Sequence, residues 1–122
     1  MPESFQIREE QTGEVRVFHL KGFLDAHTAP IFEAALHARV AAGSFRIAVD
    51  GSELTYISSA GLGVFMSFIE EVREHQGDIK ICGLIPKVQQ IFDILGFQAI
   101  YDMLDTRAAG LQRFVEVPTR EA

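Results

Sequence analysis

The chain has 122 residues, of which 48% are hydrophobic and 23% are charged, and its formal net charge at pH 7 is −6. This composition is typical of one globular domain with a single hydrophobic core, and it excludes a disordered chain. The acidic balance, without any run of lysine or arginine, argues against nucleic acid as a partner, because such a surface needs a basic patch to displace counterions.

Three further features of the chain predict a cytoplasmic protein. The single cysteine, Cys82, allows no internal disulfide and fits a reducing compartment. The first ten residues, MPESFQIREE, lack the basic and then apolar pattern of a signal peptide. No apolar run approaches the ~20 residues that a membrane helix needs, so we expect a chain that neither spans nor enters the membrane.

The first part of the chain predicts a hairpin followed by a helix. Residues 4–8 and 14–21 alternate apolar and polar side chains, as strands do, with a turn at residues 11–13. The helix has Pro30 in its first turn and Thr28 as a candidate cap for its free amides, and we expect it to end at Gly43.

Helices and strands then alternate to the end of the chain. The predicted elements are a strand at 45–49 that closes at Asp50, a helix from Ser59 to Gly77, a strand at 79–84, a helix from Pro86 to Gly96, a short strand at 97–101 and a last helix at 106–115. This order predicts one α/β domain over residues 1–117, with a mixed, mostly parallel sheet of four to five strands, an N-terminal antiparallel hairpin and helices packed against the sheet. Residues 118–122 are expected to form a frayed tail.

The polar residues of greatest interest follow the carboxyl ends of the predicted strands, where the functional loops of α/β sheets gather. These residues are Asp25, His27, Asp50, Ser52, Glu53, Ser58 and Ser59. The stretch TYISSAGLGVF at residues 55–65 stands out, because two adjacent serines precede a predicted helix.

Most catalytic uses of this stretch are disfavoured. A hydrolase nucleophile at Ser59 is the weakest alternative, because Ile57 replaces the first glycine of G-x-S-x-G and the only later histidine, His75, lies several turns along the same helix. Nucleotide-binding glycine motifs are absent, and the histidines and Cys82 lack metal-ligand spacing. We therefore expect no enzymatic activity, no cofactor and no metal.

Two uses of the serines remain open. A serine hydroxyl can cap a helix by accepting a bond from a free amide, which stabilises the helix by ~1 kcal/mol and is the commoner case. A phosphate on the same serine would be stabilised by the helix amides and dipole, and its charge would change what the surface binds. Acidic neighbours, Asp25, Asp50 and Glu53, would sharpen that change.

Two segments of the sequence resemble the STAS domain family. GFLD at residues 22–25 with TAP at 28–30 looks like the family's G-x-L-D…A/T-x-P-x-L opening. Residues 47–63, which contain IAVD and LTYISSAGLG, resemble the family signature V-x-D-L-S…V-x-F-I-D-S-[ST]-G-L-G. The resemblance covers essentially the whole chain and implies the STAS fold.

A free-standing chain of this kind resembles the bacterial anti-sigma-factor antagonists. The resemblance implies a protein that binds an anti-sigma factor, itself a serine kinase holding ATP, and is released when the kinase phosphorylates it; a PP2C-type phosphatase reverses the reaction. It places the phosphoacceptor at Ser59, with Ser58 less favoured, and partner contacts at Asp25, Asp50, Ser58, Gly61 and Leu62. Leu62 could equally belong to the core.

Two departures from the family pattern support an alternative. Ser58 stands where the family usually has an acidic residue, and Ala60 replaces a serine or threonine. The alternative is a STAS subunit of a membrane transport complex that is never phosphorylated.

Overall fold

The computed structural model describes residues 5–116. These residues form strands and α-helices with the following bounds: β1 Gln6–Thr12, β2 Val15–Leu24, α1 Ala29–Ala41, β3 Arg46–Ile57, α2 Ser59–Glu74, β4 Asp78–Cys82, α3 Pro86–Ile94, β5 Met103–Leu104 and α4 Arg107–Glu116. Among the helices within 5–116, none has the length and apolar character required to cross a membrane.

The sheet has five strands in the order β1-β2-β3-β4-β5. β1 pairs with β2 antiparallel, and each later strand pairs with its neighbour in parallel. The predicted α/β class and the mostly parallel sheet with an N-terminal hairpin are confirmed. The expected tail at 118–122 lies outside the described residues, and the domain boundary at 117 stays a prediction.

The two faces of the sheet are covered unequally. On one face, α1, α2 and α3 pack over a large core in which the ring of Phe65 contacts those of Phe32 (5.4 Å between centroids) and Phe92 (5.6 Å). On the other face, α4 covers a small cluster of Val15, Val17, Ala48, Cys82 and Phe114. The first face therefore holds most of the buried apolar surface.

The strand predicted at residues 97–101 is wrong. This segment begins with a 3-10 helix, Phe97–Ala99, and the last strand, β5, follows it. The rings of Phe97 and Tyr101 stack at 5.3 Å, and the Tyr101 hydroxyl donates to the carbonyl oxygen of Phe65 at 2.8 Å. A compact turn brings both rings into the core together, and this packing outweighs the local strand pattern.

The predicted end of the third strand at Asp50 is also wrong, because β3 continues to Ile57 and leaves almost no loop before the helix predicted from Ser59. Beyond Asp50 it keeps pairing with β2, with Gly22 opposite Leu54 and Leu24 opposite Ile57, through two register shifts. The Asp50-Gly51 pair, which reads as a turn in the sequence, is accommodated inside the strand. Only Ser58 separates β3 from α2.

Candidate functional site

The start of α2 lies directly beside the end of β2. The Ser58 amide donates to the Leu24 carbonyl oxygen at 2.9 Å, which joins the two segments. Asp25 follows Leu24 and Ser59 follows Ser58, so the structure brings these two predicted site residues to the same end of the sheet. The parallel pairing of β2 and β3 produces this proximity, as expected for carboxyl ends of adjacent strands.

The backbone amides at the start of α2 have no side-chain cap within residues 5–116. Ser58 occupies the N-cap position with extended backbone (φ −103°, ψ 175°), but it makes no side-chain capping hydrogen bond. The first helical bond runs from the Leu62 amide to the Ser58 carbonyl oxygen at 3.0 Å. The amides of Ser59, Ala60 and Gly61 therefore lack a helical acceptor, as the first amides of any helix do. Capping by a serine hydroxyl, one of the two uses that the sequence left open, is therefore not found at this helix start among the described residues.

The two serine hydroxyls have opposite environments. Ser59 is exposed to solvent, whereas the Oγ of Ser58 is buried and has no hydrogen-bond partner within the described part of the chain. A kinase or any other protein can reach the first hydroxyl without unfolding α2, but it cannot reach the second. Exposure thus distinguishes the two neighbouring serines on physical grounds, in the same order as the family resemblance ranks them.

Gly61 and Leu62 hold the helix start against the sheet. Both are buried, and Leu62 belongs to the main core with 7% of its surface exposed. A Cβ added at Gly61 would lie 2.8 Å from both the Cγ and the carbonyl oxygen of Leu24. Of the two positions that the sequence allows for Leu62, contact surface or core, the structure places it in the core.

Asp25 is fixed in an ionised state by its own loop. Its Oδ1 accepts hydrogen bonds from the amides of His27 (3.0 Å) and Thr28 (3.2 Å). Burial raises the pKa of Asp25, but these bonds outweigh it and hold the pKa below its ordinary value. Thr28, the predicted cap of α1, instead donates its hydroxyl to the Phe23 carbonyl oxygen at 2.7 Å and accepts the Asp25 amide at 2.8 Å. That cap prediction is wrong, because the hydroxyl shapes the Asp25 loop.

Asp50 points away from Ser59, toward α4. It is 6% exposed, and its Oδ2 accepts from Nε of Arg107 at 2.8 Å while its Oδ1 accepts from the Ser52 amide at 2.9 Å. Burial raises the pKa of Asp50, and the bonds from Ser52 and Arg107 bring the net pKa below its ordinary value. Sequence reasoning missed Arg107, since it lies 57 positions from Asp50 and no local pattern connects them.

The acidic neighbourhood expected around Ser59 is smaller than the sequence suggests. Glu53 bonds to Nε2 of His19 at 2.6 Å, and this bond lowers the pKa of Glu53. Asp50 is neutralised by Arg107. Asp25 is therefore the carboxylate, of the three expected, that remains next to the start of α2.

The residues that could hold a metal do not come together. Within residues 5–116, no three His, Cys, Asp or Glu side chains form a group suited to a metal ion. Cys82 is buried, and its burial raises the pKa of the thiol to about 11, so the thiol stays protonated at neutral pH.

Known proteins resemble this chain in sequence and in fold. The STAS domain family matches residues 6–110. The chain belongs to the STAS domain family. BtrV of Bordetella bronchiseptica, provisionally named as an anti-sigma factor antagonist, is 37% identical over 95 residues, which are 78% of this chain and 82% of BtrV. The anti-sigma-B factor antagonist of Listeria monocytogenes is 30% identical over 100 residues, 82% of this chain and 87% of that protein.

A solved STAS structure of low identity supports the fold. The Bacillus cell fate determinant SpoIIAA in its phosphorylated form has a TM-score of 0.69 at 22% identity, covering 90% of this chain and 98% of that chain. At this identity the likeness concerns the fold. The STAS fold expected from the two sequence motifs is thus confirmed.

Proposed function

We propose that this STAS protein is an anti-sigma-factor antagonist whose binding is controlled by phosphorylation of Ser59. Unphosphorylated, it binds an anti-sigma factor that is also a serine kinase, and phosphorylation releases it. Relatives that the chain covers over most of their length are named anti-sigma factor antagonists. Another STAS protein of the same fold has been solved in a phosphorylated form.

One observation carries the choice of Ser59. Ser59 is an exposed residue at the first position of α2, whereas the hydroxyl of the neighbouring Ser58 is buried. The kinase would transfer the γ-phosphoryl group of its own ATP to Ser59 Oγ, with loss of the hydroxyl proton and release of ADP. A PP2C-type phosphatase would hydrolyse the phosphoserine and restore the binding form.

The charge of the phosphate explains how the complex would be broken. A phosphoserine carries nearly two negative charges at neutral pH, and a partner surface complementary to a neutral hydroxyl would have to desolvate them. The uncapped amides at the start of α2 favour the phosphate within this protein, so the fold survives the modification. Asp25 adds a second, permanent negative charge beside it.

The other site residues have distinct roles in this proposal. Asp25 contacts the partner, and Ser58 places its backbone against the partner while its hydroxyl faces inward. Gly61 and Leu62 fix the direction of α2, and Asp50 acts indirectly by anchoring the strand that leads to Ser59. None of these roles requires chemistry by the STAS protein itself.

The decisive experiment compares the two serines. The purified wild-type chain and the Ser58→Ala and Ser59→Ala variants are incubated with ATP and each anti-sigma factor encoded in the same genome, and phosphate incorporation is followed by intact-mass spectrometry. We expect wild type and Ser58→Ala to gain one phosphate and Ser59→Ala to gain none. Modification of Ser59→Ala at Ser58 would contradict the assignment.

A binding measurement tests the switch. Ser59→Asp should no longer bind the anti-sigma factor when binding is measured by calorimetry. Its circular dichroism should stay native, because the added charge lies on the surface. If Ser59→Asp binds as tightly as wild type, charge does not control the complex. Absence of phosphate uptake with every candidate kinase, together with co-purification with a permease, would favour the transport-subunit alternative.

A further inference from the structure

Two half-exposed aromatic side chains lie side by side at the ends of β2 and β3. Phe23 is 47% exposed and Tyr56 is 46% exposed. They are register partners in the parallel pair, and their rings meet edge to face with centroids 5.7 Å apart. Their neighbours Leu24 and Ile57 are buried in the main core, so the aromatic pair projects from the opposite face of the sheet.

The stability of the fold does not explain why these two aromatic rings are exposed. Neither ring belongs to the hydrophobic clusters of the described residues. A cross-strand pair of this kind adds only a small increment to sheet stability. Two large aromatic rings left half in water at adjacent strand ends are the type of side chain that forms the centre of protein interfaces.

We propose that Phe23 and Tyr56 form the apolar contact that gives the anti-sigma factor most of its affinity, while Ser59 controls whether that contact is allowed. This inference rests on the proposed function, because it assigns the aromatic pair to the same partner. Affinity and control then reside in different side chains of one interface.

Proximity to Ser59 argues for that single partner. Tyr56 lies three residues before Ser59, so their Cα atoms are at most about 11 Å apart. An interface of standard size buries about 800 Å² on each protein, which corresponds to a patch about 30 Å across. A patch of that size centred at the end of the sheet has room for both Ser59 and the aromatic pair, with the partner extending over the strand ends from one face to the other.

The chemistry of the patch defines the partner surface. Phe23 is followed two residues later by Asp25, whose carboxylate is ionised at neutral pH and accepts hydrogen bonds from the amides of His27 and Thr28. The partner should therefore present an apolar pocket bordered by a lysine or arginine. Binding through the pocket should be insensitive to salt, whereas the contribution of Asp25 should weaken as ionic strength rises.

The test uses the anti-sigma factor that phosphorylates the wild-type protein. Its affinity is measured for the wild type and for the Phe23→Ala and Tyr56→Ala variants. Each variant should raise the dissociation constant by about 30-fold, which is the effect of removing a hot-spot aromatic residue. Tyr56→Phe, which keeps the ring, should bind within about threefold of wild type. Ile94→Ala is the matched control, because Ile94 is 75% exposed at the far end of α3, and it should bind as wild type.

The outcomes separate this inference from the proposed function. If wild type binds and the Phe23→Ala and Tyr56→Ala variants bind equally well with native circular dichroism, the aromatic contact is refuted and the Ser59 switch stands. If no anti-sigma factor binds wild type, both proposals fall. A change in oligomeric state of Phe23→Ala by analytical ultracentrifugation, with unchanged affinity, would assign the pair to a second copy of the chain and overturn the inference.

Discussion

At the start of α2, two glycines two positions apart have opposite surroundings. A Cβ at Gly61 would lie 2.8 Å from the Cγ of Leu24 and 2.9 Å from Cγ1 of Ile57, whereas a Cβ at Gly63 would meet no atom of the described residues within 4 Å. The first glycine lets α2 approach the ends of both central strands. The second faces open space on the same helix, so the pair offers a matched comparison.

We predict that Gly61→Ala destabilises the protein and Gly63→Ala does not. At Gly61, overpacking against Leu24 costs about 1–3 kcal/mol and offsets the gain in helix propensity. At Gly63 the propensity gain of up to about 1 kcal/mol remains. Urea denaturation of both variants checks this, and equal midpoints would show that the close approach at Gly61 does not constrain the fold.

At the scale of elements, α4 is fastened to the sheet by ionic contacts at both ends. Its first residue, Arg107, bonds to Asp50 of β3, and Arg113 bonds to both carboxylate oxygens of Asp102 at 3.0 Å. Nζ of Lys80 lies 4.6 Å from the ring centroid of Phe114, the residue after Arg113. The Asp50 contact also holds the strand that leads to Ser59, so α4 supports the candidate site from the opposite face.

The Asp50 contact predicts a stability that depends on pH. Because the folded pKa of Asp50 is below its unfolded value, its contribution is complete above the unfolded pKa and is lost as pH falls through the folded pKa. The urea concentration at the unfolding midpoint of wild type should therefore decrease as the pH is lowered below about 4. The decrease should be smaller in Asp50→Asn. Arg107→Gln should also flatten it, because Asp50 loses its cation. An unchanged acid slope in both variants would contradict this role.

Local patterns in the sequence predict much of the fold but not these contacts. Pro30 and Pro86 mark helix starts correctly, and Gly43 and Gly77 mark helix ends, because these signals act within one turn. The extension of β3 through the Asp50-Gly51 pair depends on pairing with β2, a nonlocal contact that no local signal encodes. The Asp50–Arg107 bond and the burial of the Ser58 hydroxyl are likewise products of tertiary packing. The sequence motif ranks Ser59 above Ser58 by resemblance, but it gives no physical reason for that ranking.

At the scale of the whole molecule, the unequal cores predict unequal local stability. The ring of Phe65 lies at the centre of the large core, in contact with Phe32, Phe92 and Tyr101. Phe114 belongs to the small cluster under α4. Opening the small cluster exposes less apolar surface, so α4 should detach at a lower free energy than global unfolding requires.

We predict that the amides of α4 exchange with deuterium faster than those of α2 in native hydrogen exchange. Phe65→Ala should cost about 3–5 kcal/mol in global stability, whereas Phe114→Ala should cost less and should mainly raise exchange in α4. Mass spectrometry of peptic fragments resolves the two helices. Equal protection of α2 and α4 in wild type would mean that the two faces of the sheet open as one unit.

The single residue between β3 and α2 has a consequence for recognition by enzymes. With Ser58 as the only residue between β3 and α2, Ser59 cannot become extended unless the first turn of α2, which contains the buried Leu62, is disturbed. An enzyme that modifies Ser59 in the native protein must therefore read a three-dimensional epitope with a preset angle of approach. Such an enzyme then selects its substrate by the shape of the folded domain. Residues far apart in the sequence contribute to this recognition as much as the residues next to Ser59.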